Sequence, residues 1–181
     1  EAPATDAPAA LYPGIEGADQ YGERYDADPA VLTKSVGTPE GVPQIAQAAF
    51  YRAGLPVDQA MQDLAVKCWK EKICETGTGG PITVALADGF GENFWRQMTH
   101  MEFILQALTY PEIGKIIYIT SLGDTARSIT DFKSLVAQDV DIIVGFPDAG
   151  EALLPAVREA TERGIIYITH SYGRIGEPGK D

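Results

Sequence analysis

ITVALADGFGENFWRQM, residues 82–98, reads as a buried strand, a glycine turn and a capped helix in direct succession. Residues 82–87 (ITVALA) are nearly all apolar, the composition of a strand covered on both faces. Asn93 stands as the cap of a helix whose apolar residues Phe94, Trp95, Met98, Met101, Leu105 and Leu108 recur at helical spacing. The alternation continues downstream. KIIYIT (115–120), DIIVGF (141–146) and IIYIT (165–169) predict three more buried strands. Asp124 predicts a second cap, before a helix carrying Ile129, Phe132 and Val136. Asp148 and Glu151 have the form of a capping box, predicting a helix that runs to Arg163 and stops at Gly164. Pro155, inside that pattern, should kink the helix or delay its start.

Strand and helix alternating through short loops imply right-handed crossovers and a parallel sheet. The fold class expected is therefore α/β, a doubly wound parallel sheet over residues 81–181. Ligands in such sheets bind beyond the carboxyl ends of the strands. That singles out four loops, at residues 88–93, 121–124, 146–150 and 170–173.

Upstream the composition changes. Residues 1–40 are rich in Ala and Pro, and half of the 12 prolines of the chain fall at or before Pro43. Such a segment buries little and reads as an extended leader, with Tyr12, Tyr21 and Tyr25 as anchors along the domain. A start without Met and with this composition suggests the mature end of an exported protein whose signal was removed. Residues 41–80 form a helical extension: a short helix over 42–51, a break at Gly54-Leu55-Pro56, then an amphipathic stripe of Ala60, Met61, Leu64, Ala65, Cys68 and Trp69. Residues 76–80 (TGTGG) read as a loop.

Of the 181 residues, 26 are acidic and 14 basic, a formal charge of −12, and the acids are spread over both halves. A phosphate backbone would be repelled, so no nucleic-acid partner is expected. Hydrophobic residues make up 45%, enough for a core, and no apolar run approaches the roughly 18 residues of a membrane span. Cys68 and Cys74 are the only cysteines and form no zinc-type spacing. In an exported chain they would pair as a disulfide; in a cytosolic one they would stay free thiols.

The first loop begins like a dinucleotide fingerprint, Gly89-Phe90-Gly91, but Phe94 occupies the third glycine position. Thr120 and Ser121 stand where an acid would hold a ribose, so no nicotinamide cofactor is expected. The loop is then either a plain turn feeding a helix cap, or the edge of a pocket. In the second case Glu92, Asn93, Phe94 and Trp95 suit a polyhydroxylated ligand, rings covering its C–H face and polar groups taking its hydroxyls. Phe146 to Asp148 are open to the same two readings. No nucleophile pair emerges: His170 and Ser171 are adjacent and point to opposite faces, and His100 falls mid-helix. No catalytic residue, metal site or cofactor is therefore expected.

ITVALADGFGENFWRQM, together with GDTARSITDFKSLVAQDVDIIVGFPDAGEALLPAVREATERGIIYI at 123–168, resembles the type I periplasmic sugar-binding proteins, the ribose-binding-like solute receptors of ABC importers. The likeness spans about residues 81–173. It implies an amino-terminal sugar-binding lobe, with Glu92, Phe94 and Trp95 bonding and stacking on a sugar and Phe146 to Asp148 lining the cleft. Ser171 and Tyr172 stand where the family commonly carries Asp-Arg, and Glu92-Asn93 where Asn-Pro is usual. The departures leave a pentose, a hexose, a polyol or another small polar solute open. The resemblance further implies a non-enzymatic binder, a membrane permease as partner, and a periplasmic or cell-surface location, with lipid anchoring as a lipoprotein left open. Family members have two lobes, so a companion segment carrying the second lobe is expected, and this piece alone should bind weakly. Two other readings stand beside it: a nucleotide- or phosphate-using α/β enzyme, and the core of a sugar-responsive regulator, which should begin with a basic helix-turn-helix rather than an acidic leader.

Overall fold

The computed structural model describes residues 49, 52–91, 93–170 and 175–177. The expectations placed on residues 1–40, on most of the helix at 42–51, and on Glu92, Ser171 and Tyr172 lie outside them. The chain divides into two compact units, Glu1–Val57 and Asp58–Asp181. In the first, a helical turn at residues 52–53 is followed by Leu55 N donating to Arg52 O at 3.1 Å. The account below concerns the second.

Its elements in chain order are α1 (Gln59–Glu71), β1 (Ile73–Glu75), β2 (Ile82–Asp88), α2 (Phe94–Ala107), β3 (Ile113–Thr120), α3 (Thr125–Ala137), β4 (Ile142–Gly145), a 3-10 turn (Gly150–Leu153), α4 (Leu154–Glu162) and β5 (Ile166–Thr169). The five strands form one sheet in the order β1-β3-β2-β4-β5. β3, β2, β4 and β5 are parallel, with Val84 level with both Ile116 and Ile142. The alternation of side chains along β2 then feeds two cores. Val84, Ile113 and Ile116 pack with Ala65 of α1 and Ile104 of α2 on one face. Ala85, Ile117 and Ile143 pack with Phe132, Leu135, Val157 and Ala160 of α3 and α4 on the other. The sheet is doubly wound, as the apolar runs predict.

Local signals placed most boundaries. Asp58, Asn93 and Asp124 each cap a helix by accepting a backbone N–H three residues on, at 2.8, 2.9 and 2.9 Å. Gly164, at φ 81°, ends the turn after α4. Pro155 delays that helix: the chain passes through a 3-10 turn, and α4 begins at Leu154 with the proline in its first turn, where its missing N–H costs nothing. Among the described residues no helix is long and apolar enough to cross a membrane.

Three expectations need correction. Asp148 does not cap α4, which has no side-chain cap; its carboxylate is bound elsewhere, as shown below. β5 is not covered on both faces: it lies at the end of the sheet order, with Ile166 56% and Ile168 48% exposed. Composition cannot separate an edge strand from a central one when both are aliphatic. Finally, β1 adds an antiparallel strand, Ile73 facing Ile117 and Glu75 facing Lys115, where only a helix end was read.

Cys68 and Cys74 form a disulfide that joins the last turn of α1 to β1, and both cysteines are buried. Between them Lys72 adopts a left-handed conformation (φ 66°), and its carbonyl accepts from Tyr118 N at 2.6 Å.

Candidate functional site

Four parallel strands in the order β3-β2-β4-β5 place the topological switch point between β2 and β4, from which successive connections run outward in opposite directions. In open α/β sheets ligands bind at that point, beyond the strands' carboxyl ends. The loops that border it are those after β2 and β4, two of the four singled out from the sequence.

The loop after β2 is organised by Asp88, which is 2% exposed. Its Oδ1 accepts from the N–H groups of Phe90 (3.0 Å) and Gly91 (2.9 Å) and from Arg96 Nη1 (3.0 Å). Its Oδ2 accepts from the Tyr118 hydroxyl at 3.1 Å. A buried carboxylate is tolerable only when paired and hydrogen-bonded in this way. The glycines here serve packing. A Cβ on Gly89 would come within 2.8 Å of the Asp148 Cβ. Gly91 sits at φ 71°, and a side chain there would collide with the Thr120 hydroxyl. Two backbone N–H groups that a phosphate would need are already taken by Asp88.

Arg96 joins the two loops. Its Nη1 and Nη2 donate to Asp148 Oδ2 (3.1 Å) and Oδ1 (2.8 Å), while Nη1 also reaches Asp88. The face of the guanidinium lies 3.6 Å from the centre of the Phe146 ring. The Arg96 side chain is only 5% exposed. Sequence reading missed this residue, because a helical pattern assigns an arginine to solvent. One signal was present: a cation in the first turn of a helix opposes the macrodipole, which points to a fixed anionic partner.

Above this ion-locked floor stand the aromatic residues. Trp95 is half exposed and meets the Phe146 ring edge-on at 5.4 Å and the His170 ring at 6.2 Å. Phe146 and His170 are 4.7 Å apart. Phe90, Phe94 and Leu122 are also exposed. Of the site residues read from the sequence, the structure therefore brings together Trp95, Phe146 and Asp148. Asn93 caps α2 through its Oδ1, and Phe94 is 77% exposed. Asp88, Arg96, Tyr118 and His170 are the additions. Burial against the rings and the nearby Arg96 charge hold His170 below the ordinary histidine pKa, partly opposed by Glu102. The Tyr167 phenol, on β5, is pushed up to about 12 by burial and by Asp148.

At the strand ends a cavity of about 10 Å³ is lined by Asp88, Ser121, Asp131 and Tyr167 among others, room for one water and no more. Among the described residues no group of His, Cys, Asp and Glu is arranged to hold a metal ion.

Fold and site together define a doubly wound α/β layer with an aromatic edge and an ion-locked floor at its switch point. No protein-family model matches the chain. No curated protein matches it. Among solved structures it is similar to the 5-methylthioribose transporter solute binding protein from Thermotoga lettingae, determined in complex with 5-methylthioribose, at 27% identity and a TM-score of 0.39. The similarity covers 49% of this chain and 27% of that one, so the chain spans about a quarter of that protein's length.

Proposed function

We propose that this chain supplies one wall of a binding site for a neutral sugar or polyol, as the amino-terminal lobe of a solute receptor serving an ABC importer. The observation that carries the reading is the Trp95–Phe146 edge at the switch point, 5.4 Å between ring centres, with Asp148 fixed beside it. A half-exposed indole offers its face to the C–H side of a sugar, and carboxylate and amide oxygens take hydroxyls. Glu92, Asn93, Phe94, Ser171 and Tyr172 remain proposed contacts of the same ligand. The mechanism is capture without bond chemistry: a second surface, supplied by a companion lobe, closes over the exposed rim. The Cys68–Cys74 disulfide supports an oxidising, exported setting, periplasmic or at the cell surface. The proposal also covers delivery to a membrane permease.

Tryptophan emission, to which Trp95 contributes alongside Trp69, reports on the site. Titrating the full chain with D-ribose, D-xylose, D-galactose, 5-methylthioribose and D-mannitol should give a saturable shift with at least one of them, in the millimolar range expected of an open wall. Inorganic phosphate should give none. A response to phosphate or to AMP, with none to the neutral compounds, would overturn the reading.

A further inference from the structure

We propose that Arg96 is a positioning residue: it sets the pose of the Trp95–Phe146 edge by fastening the loop after β4 to the first turn of α2. The proposal rests on the reading of that edge as ligand-facing. Three observations carry it. Arg96 is covalently next to Trp95, and its guanidinium plane lies 3.6 Å from the ring centre of Phe146, so one side chain contacts both walls of the edge. Its donors reach carboxylates on two separate loops, Asp88 at 3.0 Å and Asp148 at 2.8 and 3.1 Å. Asp148 is itself seated on the bare Cα of Gly89, where a Cβ would come within 2.8 Å, so the loop after β4 has one depth at which the fork closes.

The geometry asks for arginine. A planar fork can pair two carboxylates along its edge and stack an aromatic ring on its face; an ammonium is a point charge and cannot do both. The placement is also unfavourable for the helix alone, since a cation in the first turn opposes the dipole. That cost is offset here by two anionic partners, one of them fully buried.

The test reads Trp95 without ligand. Trp69→Phe leaves Trp95 as the sole tryptophan, since the chain has 2. In that background Asp148→Asn keeps side-chain volume and leaves Arg96 paired with Asp88, and Arg96→Lys keeps the charge and loses the fork. Both should raise acrylamide quenching of Trp95 and red-shift its emission, with far-UV circular dichroism unchanged. Arg96→Lys should also weaken the best neutral ligand about tenfold, the order of one charged hydrogen bond. Quenching and emission unchanged in both variants would overturn the proposal. So would wild-type quenching in Arg96→Lys alone, because charge neutralisation would then suffice. If the quenching responds while the unmutated chain binds no sugar, the positioning role stands and the sugar reading falls.

Discussion

Asp88 and His100 show how much of this molecule is settled by single buried polar groups. Asp88 has four donors around one buried carboxylate. Asp88→Ala would leave Arg96 short of a partner in a dry site and release the Phe90 and Gly91 amides. A loss of about 3–5 kcal/mol is expected, read as a lower urea midpoint; a loss under about 1 kcal/mol would mean that water replaces the carboxylate. His100 is 2% exposed and stacks on Tyr118 at 3.6 Å, with its Nε2 lacking a hydrogen-bond partner among the described residues. Burial, helped by the Lys72 charge, lowers its pKa to about 3. The unfolded chain binds that proton near pH 6.5, the folded chain only near 3, so protons favour unfolding between the two. The melting temperature should fall as pH drops through this window, and His100→Phe should flatten that fall. Equal acid sensitivity in both proteins would place the effect on other groups. At this scale, what the sequence made legible is what is local. Asn93 and Asp124 cap their own helices. Asp148 looked the same, but a guanidinium 52 residues away takes its carboxylate.

At the scale of elements, the four parallel strands were legible because an aliphatic run between turn signals has few other uses in a chain of this kind. β1 was not. It is three residues long, with only Cys74 of the three buried, and it exists through pairing with β3 some forty residues away. A window of sequence around Cys74 cannot show that partner. The disulfide fastens this short strand to α1. Replacing both cysteines with alanine is expected to cost on the order of 2 kcal/mol, and to lower hydrogen-exchange protection in β1 before the central strands. Uniform loss across the sheet would mean that the bond stabilises the fold globally instead. The other face depends on α3. Phe132→Ala, at 1% exposure against Tyr167, should cost about 3–5 kcal/mol in thermal or urea unfolding.

Over the whole molecule, the net −12 is spread along the chain, and exposed apolar side chains lie in more than one place: Ile166 and Ile168 on the edge strand β5, and Phe90, Phe94, Trp95 and Leu122 on the loops and helix start at one end of the sheet. The second group is the surface that the proposed sugar site would use. The fold pattern could be read from the sequence alone, and so could the strand-end loops on which the proposed site rests. Its internal wiring through Arg96 could not, because a patterned helix hides which of its charged residues turns inward. The measurement that bears most directly on the account is saturation-transfer-difference NMR on the full chain and on Trp95→Ala, with the same neutral sugars and polyol. The account expects saturation to reach the C–H protons of at least one compound in the unmutated chain and to vanish in Trp95→Ala, with circular dichroism unchanged. Equal transfer in both, or none in either, would contradict it.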